Sequence, residues 1–212
     1  MKKLLSILIS CTLLFGLAAC GSNSENQQPP NGQEQSDESR PVTSGAEGTG
    51  AKALVVYFSA TGNTKSAAEG LAKMQGADLY EIVPKQPYTD EDLNYNDSST
   101  RATVEQNDEN ARPAISGGID NLAEYDVIYV GFPIWWGDMP RILYTFFDTY
   151  DLSDKTIAPF CTSGGSGISK AVQSINKLEP SATITEGLQA STSHTSDDFA
   201  EWLSRIGLAG QE

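Results

Sequence analysis

The stretch "VVYFSATGNTKS", Val55 to Ser66, joins an apolar run to a helix-like pattern. The run is continuous and rich in β-branched residues up to Phe58, as expected of a strand that is buried on both faces. The next six residues, Ser59–Thr64, are small, and five of them are glycine or carry a hydroxyl or an amide. Apolar residues then recur at helical spacing as far as Met74, and Gly76 ends the pattern. The stretch therefore predicts a strand, a polar loop and a helix in succession.

The loop Ser59–Thr64 has the composition of a phosphate cradle. A helix N-terminus offers free N–H groups and a partial positive charge, and both favour a phosphate. Hydroxyl groups of the loop add donors, and Gly62 allows a backbone conformation that turns amides toward one point. The nucleotide P-loop pattern does not fit, because it has Gly directly before its Lys, whereas Gly62 lies three residues before Lys65. The loop suits a small phosphomonoester; the alternative is a turn that only caps the helix.

Strand-like and helix-like patterns alternate through the rest of the chain. The predicted strands are Ala53–Phe58, Ala77–Pro84, Asp126–Phe132, Thr156–Thr162 and Ala182–Leu188. The predicted helices are Thr64–Met74, Thr100–Asn110, Pro140–Tyr150, Ser169–Leu178 and Ser196–Leu208, the last with Ser196 as its N-cap. This alternation predicts a parallel sheet with helices on both faces. Ligands of such sheets bind beyond the carboxyl ends of the strands, so we expect a site in the loops after Phe58, Gly131 and Cys161.

The other two loops add an aromatic plate and a hydrogen-bonding rim. "GFPIWWGDMP", Gly131–Pro140, contains adjacent tryptophans, which need either core to bury against or a flat ligand to stack on. We expect one ring to be buried and the other to face the opposite side, since adjacent side chains of an extended loop alternate. "CTSGGSG", Cys161–Gly167, lets backbone amides approach a ligand edge, or is an ordinary flexible turn. Together the three loops suit flavin mononucleotide (FMN), which has a phosphate tail and a flat tricyclic head.

These motifs resemble those of the flavodoxin family. "SATGNT" matches the family's phosphate-loop pattern (S/T)-x-T-G-x-T, and "GFPIWWGDMP" is similar to the flavin-shielding loop of a branch with a P-x-W-W-G element. "TSGGSG" is similar to that branch's second flavin-contacting loop. The resemblance extends from Lys52 to about Leu208. It implies an α/β fold, a flavodoxin-like doubly wound five-stranded parallel sheet of order 2-1-3-4-5 with helices on both faces, and non-covalent FMN.

The resemblance also implies which residues contact the cofactor. The phosphate would be held by Ser59, Thr61, Gly62, Asn63 and Thr64. The ring would be lined by Pro133, Ile134, Trp135, Trp136 and Gly137. The pyrimidine side would be bordered by Thr162, Ser163, Gly164 and Gly165.

The chain departs from the family pattern in its third loop. Many flavodoxins place a Tyr there to sandwich the flavin, and this loop has none, which implies a more open ring face with room for a substrate. The polar segment 85–115 is longer than a simple crossover needs. It either folds over the flavin as a lid or forms a surface excursion, and we favour the excursion with a helix. Tyr95 and Arg101 are the residues of this segment to follow in the structure.

The N-terminus predicts export and a lipid anchor. Lys2 and Lys3 precede an apolar stretch, Leu4–Leu17, that is too short for a comfortable membrane span. The stretch ends in "LAAC", which resembles the bacterial lipoprotein signal, so residues 1–19 would be removed and Cys20 lipidated. The alternative is an ordinary signal peptide with a chance Cys. Residues 20–50 have the polar composition of a disordered linker, and the folded domain is expected over 51–212.

Charge and composition exclude several classes of function. The net charge of −14 argues against nucleic acid, whose binding needs clustered Lys and Arg, and favours basic-surfaced protein partners or only solubility. His194 is the only histidine, which makes a hydrolase triad improbable. One histidine and one usable thiol, Cys161, exclude an ordinary zinc site, and we expect no metal. Cys161 is interpreted as a small buried hydrophobe and not as a nucleophile.

The leading interpretation is an FMN-binding electron carrier, tethered to the bacterial cell membrane outside the cytoplasm. It would exchange electrons with redox partner proteins or small electron acceptors, and it would have no catalytic acid–base residues. The alternative is an FMN-dependent reductase of quinones, azo compounds or metal chelates that uses the same site, although export argues against free NAD(P)H as its donor. A third class is a flavin- or phosphate-binding lipoprotein without redox turnover.

Overall fold

The structure is a computed structural model that describes residues 51–191 and 195–210. The predicted signal peptide, the lipidated Cys20 and the linker lie outside the described residues. The strands are β1 Ala53–Tyr57, β2 Asp78–Glu81, β3 Val83–Pro84, β4 Ile115–Ser116, β5 Val127–Pro133, β6 Thr156–Thr162, β7 Thr183–Ile184 and β8 Leu188–Ala190. The α-helices are α1 Asn63–Gln75, α2 Arg101–Asn107, α3 Arg141–Thr149, α4 Ser169–Leu178 and α5 Thr195–Arg205.

The main sheet is parallel throughout, in the order β2-β1-β5-β6-β7, and β8 also pairs with β6. This confirms the predicted order 2-1-3-4-5. The predicted fifth strand, Ala182–Leu188, is corrected to two short strands, because β7 pairs with the start of β6 and β8 with its end. Between them the carbonyl oxygen of Glu186 accepts a hydrogen bond from Trp202 Nε1 at 2.8 Å. The chain therefore bonds to α5 where an uninterrupted strand would bond to β6.

The predicted strand Ala77–Pro84 is wrong in its second half. β2 ends at Glu81, and β3 pairs antiparallel with β4 in a separate two-stranded ribbon. The segment between Pro84 and Ile115 therefore leaves and rejoins the domain through this ribbon. Its helix α2 is shorter than the predicted Thr100–Asn110, because the Asp108 carboxylate accepts the Asn110 amide at 2.9 Å in a turn that competes with the helix.

The boundaries of the last helix also differ from the prediction. α5 begins at Thr195, so Ser196 lies in its first turn and is not the N-cap. The Thr195 hydroxyl donates to the Ser191 carbonyl at 2.5 Å, which ties the helix start to the end of β8. The helix ends at Arg205, before Gly207 with a positive φ of 72°.

The core lies on both faces of the sheet. Along β1 the side chains alternate, so that Leu54 and Val56 pack in the cluster with α3 and α4, and Val55 and Tyr57 in the cluster with α1 and α5. Each of these side chains is almost fully buried, which contributes about 1.5–3 kcal/mol per large apolar residue. The continuous apolar run is thus explained by burial on both sides. Within the described residues, no helix combines the length and the apolar character needed to cross a membrane.

Candidate functional site

A cavity of about 540 Å³ lies at the carboxyl ends of β1, β5 and β6. It is lined by Ala60, Thr61, Asn63, Thr64, Leu93, Tyr95, Pro133, Ile134, Trp135, Thr162, Ser163 and Gly164. All three predicted loops therefore contribute. The predicted site residues that do not line it are Ser59, Gly62, Trp136, Gly137 and Gly165. No Asp, Glu, Lys, Arg, His or Cys is among the described residues of the lining, so its polar chemistry comes from hydroxyl, amide and backbone groups.

The phosphate-loop residues divide into those that shape the loop and those that line the cavity. Gly62 adopts a φ of 89°, and its amide donates to Ser59 Oγ at 3.1 Å, so these two residues form the turn. Thr61, Asn63 and Thr64 then lie along the cavity at the start of α1. In the described part of the chain, no side chain caps the N-terminus of α1. Its first-turn amides thus remain available to an anionic group.

The loop Ser59–Thr64 contains no cation, and the lysine that follows it is paired with a neighbouring strand. Lys65 forms an ion pair with Glu81, with 3.4 Å between Nζ and Oε2. A cradle made of helix amides and hydroxyls, without a lysine, suits a phosphomonoester better than a triphosphate with magnesium.

The two adjacent tryptophans have different environments, as expected from their alternation. Trp135 is 3% exposed and meets the rings of Phe58 and Tyr88 edge-on, with centroid distances of 5.6 and 5.1 Å. Trp136 is 39% exposed, and its ring lies 4.8 Å from that of Tyr95 at an interplanar angle of 44°. The Trp135 ring therefore belongs to the hydrophobic core below the site, whereas the Trp136 ring lies at the surface.

A tight turn holds Trp136 outside the cavity. The backbones of Trp135 and Asp138 exchange hydrogen bonds of 2.9 and 3.0 Å, and the two residues between them, Trp136 and Gly137, have φ values of 48° and 80°. Two central residues with positive φ are the requirement of a type I′ turn, in which Trp is a rare occupant. Such strain persists only where the surroundings impose it.

The surroundings that impose this turn centre on Asp138. Its buried carboxylate accepts hydrogen bonds from the Met139 amide at 2.8 Å and from the hydroxyls of Tyr144 and Ser174, each at 3.2 Å. Lys170 Nζ lies 3.7 Å from the same carboxylate. The turn is thereby fastened to α3 and α4.

Sequence reasoning did not name Leu93 as a lining residue, and it singled out Tyr95 only as a residue to follow. Both belong to the segment 85–115, for which we favoured a surface excursion, and the structure places part of this segment against the cavity. The available signal was that they are the only large apolar residues between Thr89 and Thr100 in an otherwise polar stretch. Arg101 has a structural role, since it donates to Glu105 at 2.7 Å and to the Gln86 carbonyl at 2.8 Å, and it lies 4.1 Å from the Tyr88 ring.

The third loop contributes backbone and hydroxyl groups. The Thr162 carbonyl accepts the Ile134 amide at 3.1 Å, and Ser163 Oγ accepts the amides of Gly165 and Ser166 at 3.1 and 2.8 Å. Gly165 thus supports the turn, and Ser163 and Gly164 line the cavity. Cys161 is fully buried, and this burial raises the pKa of its thiol to about 12. Its interpretation as a buried hydrophobe is confirmed.

Comparisons with known proteins agree with this geometry. Residues 52–206 match a family model described as flavodoxin. A proposed flavoprotein from Bacteroides eggerthii is 42% identical, with a TM-score of 0.71, covering 74% of this chain and 99% of its own. A second one, from Bacteroides uniformis, is 41% identical, with a TM-score of 0.67 and coverages of 73% and 99%.

A flavoprotein from Lactobacillus acidophilus, solved in complex with FMN, is 25% identical, with a TM-score of 0.55 and coverages of 70% and 98%. No curated protein shows significant similarity to the chain. The family model spans the whole parallel sheet and all three loops of the cavity, and the first two structures are similar over almost their full lengths. The chain belongs to the flavodoxin family.

Proposed function

We propose that the chain binds FMN non-covalently in the cavity and carries electrons between redox partners, held by a lipid anchor at the bacterial membrane outside the cytoplasm. The observation that carries the FMN assignment is the uncapped N-terminus of α1, which opens into a cavity that also contains aromatic and aliphatic walls. A volume of about 540 Å³ lies within the usual range of ligand sites, about 300–1,000 Å³. The FMN complex of the Lactobacillus acidophilus flavoprotein supports the same cofactor.

The chain's own residues bind, orient and shield the cofactor, which supplies the electron chemistry when bound. Thr61, Asn63 and the amides of α1 would hold the phosphate. Pro133 and Ile134 would contact the ring from the second loop, and Ser163 and Gly164 would offer polar groups to its edge. Among the described residues of the lining, the only titratable side chain is the Tyr95 phenol, so the chemistry of the site would rest mainly on the cofactor.

A reductase of quinones, azo compounds or metal chelates is the second candidate. It is favoured by one observation, the absence of an aromatic side chain from the third loop, Cys161–Gly167, which leaves that side of the site without a covering ring. The electron source would then be a membrane donor, because free NAD(P)H is not expected outside the cytoplasm.

The test is to purify the full chain in mild detergent, add FMN, remove the excess and record the visible spectrum. We expect a retained yellow flavin in about one-to-one stoichiometry. Anaerobic reduction followed by mixing with cytochrome or quinone acceptors then separates the two candidates. Fast transfer to protein acceptors without turnover of small substrates supports the carrier, and steady turnover of a quinone or azo compound supports the reductase. A colourless protein contradicts both.

A further inference from the structure

We propose that Tyr95 is the side chain that stacks on the planar ring of the bound flavin, with Trp136 supporting Tyr95 from its outer side. This assignment rests on the proposed FMN binding and deepens it. It differs from the expectation drawn from the sequence, in which the tryptophans of the second loop form the aromatic plate.

The two tryptophans are poorly placed for that role. Trp136 does not line the cavity, because its positive-φ turn holds it outside. Trp135 lines the cavity, but it is only 3% exposed, and Phe58 and Tyr88 already pack against it edge-on. Its ring therefore has little free surface for a ligand. Tyr95 lines the cavity and is 57% exposed, so far more of this residue than of Trp135 is accessible to a ligand.

The spacing of Tyr95 and Trp136 excludes a sandwich with the ligand between them. Their ring centroids lie 4.8 Å apart. A flat ring inserted between two aromatic side chains needs about 7 Å between them, which is twice the contact distance of about 3.5 Å between carbon atoms. Since Tyr95 lines the cavity and Trp136 does not, the order from the cavity outward is ligand, Tyr95, Trp136.

The loop that carries Tyr95 is held in position before any ligand binds. On its N-terminal side, Thr89 and Asp92 exchange hydrogen bonds, from the Thr89 amide to Asp92 Oδ2 at 2.9 Å and from the Asp92 amide to Thr89 Oγ1 at 3.2 Å. On its C-terminal side, Thr100 Oγ1 donates to the Asp97 carbonyl at 3.0 Å. A preorganised aromatic side chain loses little freedom on binding, so its contact contributes to affinity.

Helix α2 fastens the same segment to the second loop. Gln106 Nε2 donates to the Met139 carbonyl at 3.1 Å, and Arg141 Nη2 donates to the Gln106 carbonyl at 3.1 Å. Because Met139 follows the turn that carries Trp136, these hydrogen bonds link the segment that carries Tyr95 to the loop that carries Trp136. The segment 85–115 therefore supplies a fixed wall of the site, with the aromatic group that the third loop lacks.

The assignment is tested by measuring the dissociation constants of FMN and riboflavin for the full chain in detergent, by flavin fluorescence. Alanine substitution of an aromatic side chain that stacks on a heterocyclic base typically weakens binding by about tenfold. We expect Tyr95→Ala to weaken both ligands by about tenfold, since both contain the ring, and to restore fluorescence to the bound flavin. Tyr95→Phe retains affinity within about twofold, and Trp136→Ala weakens binding by about threefold at most.

Two control variants separate the ring end of the site from its phosphate end. Val104→Ala, on an exposed position of α2 outside the cavity, is expected to change neither constant. Thr61→Ala is expected to weaken FMN but not riboflavin, because it lies in the phosphate loop. If thermal melting shows that Tyr95→Ala does not fold, Tyr95→Leu keeps apolar contact without the aromatic face, and it should also lose affinity for both flavins.

The outcomes are distinct. A tenfold loss in Trp136→Ala with less than twofold in Tyr95→Ala overturns the assignment but leaves the proposed function intact. Equal affinities of wild type and Tyr95→Leu, with unchanged fluorescence of the bound flavin, also overturn it. A wild-type chain that binds neither flavin overturns the proposed function and the assignment together.

Discussion

The hydroxyl oxygens of Thr64 and Thr162 lie 2.8 Å apart in the interior, although 98 residues separate them in the sequence. Thr64 is 1% exposed and lies in the first turn of α1, whereas Thr162 ends β6. Both line the cavity. This bond therefore joins the phosphate loop to the third loop and sets the distance between two walls of the site.

Removing one of these hydroxyls should destabilise the domain and loosen the site. Thr64→Val keeps the shape of the side chain but leaves the Thr162 hydroxyl unsatisfied, which costs about 1–3 kcal/mol. Urea unfolding measures the loss. Thr149→Val is the matched control, because that hydroxyl is exposed and bonds only within α3, and it should cost less than about 0.5 kcal/mol. If both variants lower the free energy of unfolding by the same amount, the buried hydrogen bond contributes no more to stability than the exposed one.

Gly131 should not tolerate any side chain. A Cβ at this position would lie 2.3 Å from Phe160 Cζ, and Phe160 is fully buried in the neighbouring strand. We expect Gly131→Ala to lower the free energy of unfolding by about 2–3 kcal/mol through overpacking. Gly70→Ala, in the interior of α1 with open space around it, should instead stabilise by about 0.5–1 kcal/mol. Thermal unfolding of the two variants measures the expected loss for Gly131→Ala and the expected gain for Gly70→Ala. A Gly131→Ala variant as stable as wild type would contradict the close contact with Phe160.

The type I′ turn predicts that stability and ligand binding respond in opposite ways to substitution of Trp136. Asn tolerates positive φ, so Trp136→Asn should raise the free energy of unfolding by about 0.5–1 kcal/mol. The same variant should weaken flavin binding, because Tyr95 loses its support. Gly137→Ala, which meets open space but has a φ of 80°, should lose about 1–2 kcal/mol from backbone strain alone. A less stable Trp136→Asn would show that the packing of Trp136 outweighs the strain of its turn.

Glu179 should make the domain less stable as the pH rises from acid to neutral. Burial, with the nearby charges of Asp151 and Asp148, raises the pKa of this carboxyl to about 7. Its unfolded pKa is about 4.3, so the folded state binds the extra proton, and stability falls between about pH 4.5 and 7 as that proton is lost. Because solvent close by screens part of the effect, we expect a loss of about 1–2 kcal/mol.

The measurement for Glu179 is urea unfolding at pH 5 and pH 8. Glu179→Gln should be more stable than wild type at pH 8 and similar to it at pH 5. Glu186→Gln, at an exposed carboxylate paired with Arg205, serves as the control and should leave the pH dependence unchanged. If Glu179→Gln retains the full pH dependence, another group is responsible.

The proposed lipid anchor predicts that substitution of Cys20 changes where the chain is located. Cys20→Ser removes the acceptor of the lipid, so the chain should move from the membrane fraction to the soluble fraction or remain as an uncleaved precursor. Fractionation followed by mass spectrometry of the N-terminus distinguishes these forms. Cys11→Ser, within the apolar stretch, is the matched control and should stay at the membrane. A Cys20→Ser chain that is cleaved and located as wild type would point to an ordinary signal peptide.

Local sequence patterns were sufficient to predict the order and type of the first secondary-structure elements and the location of the site at the sheet edge. The apolar run ending at Phe58, the polar loop after it and the helical spacing up to Met74 predicted the first strand, loop and helix within one residue at each observed boundary. Strand and helix periodicity, turn residues and helix N-termini act over a few neighbouring residues, so they can be read from the chain itself. The alternation of these elements then leads to the parallel sheet and to the edge where the loops gather.

Only the tertiary structure decided how the walls of the site are assembled. The approach of Tyr95 to the cavity, its contact with Trp136 and the bond between Thr64 and Thr162 all join residues far apart in the sequence. The break between β7 and β8 likewise depends on the bond from Trp202 to Glu186. Such contacts are set by the packing of whole elements against one another. The local periodicity of the sequence therefore cannot predict which distant residues come into contact.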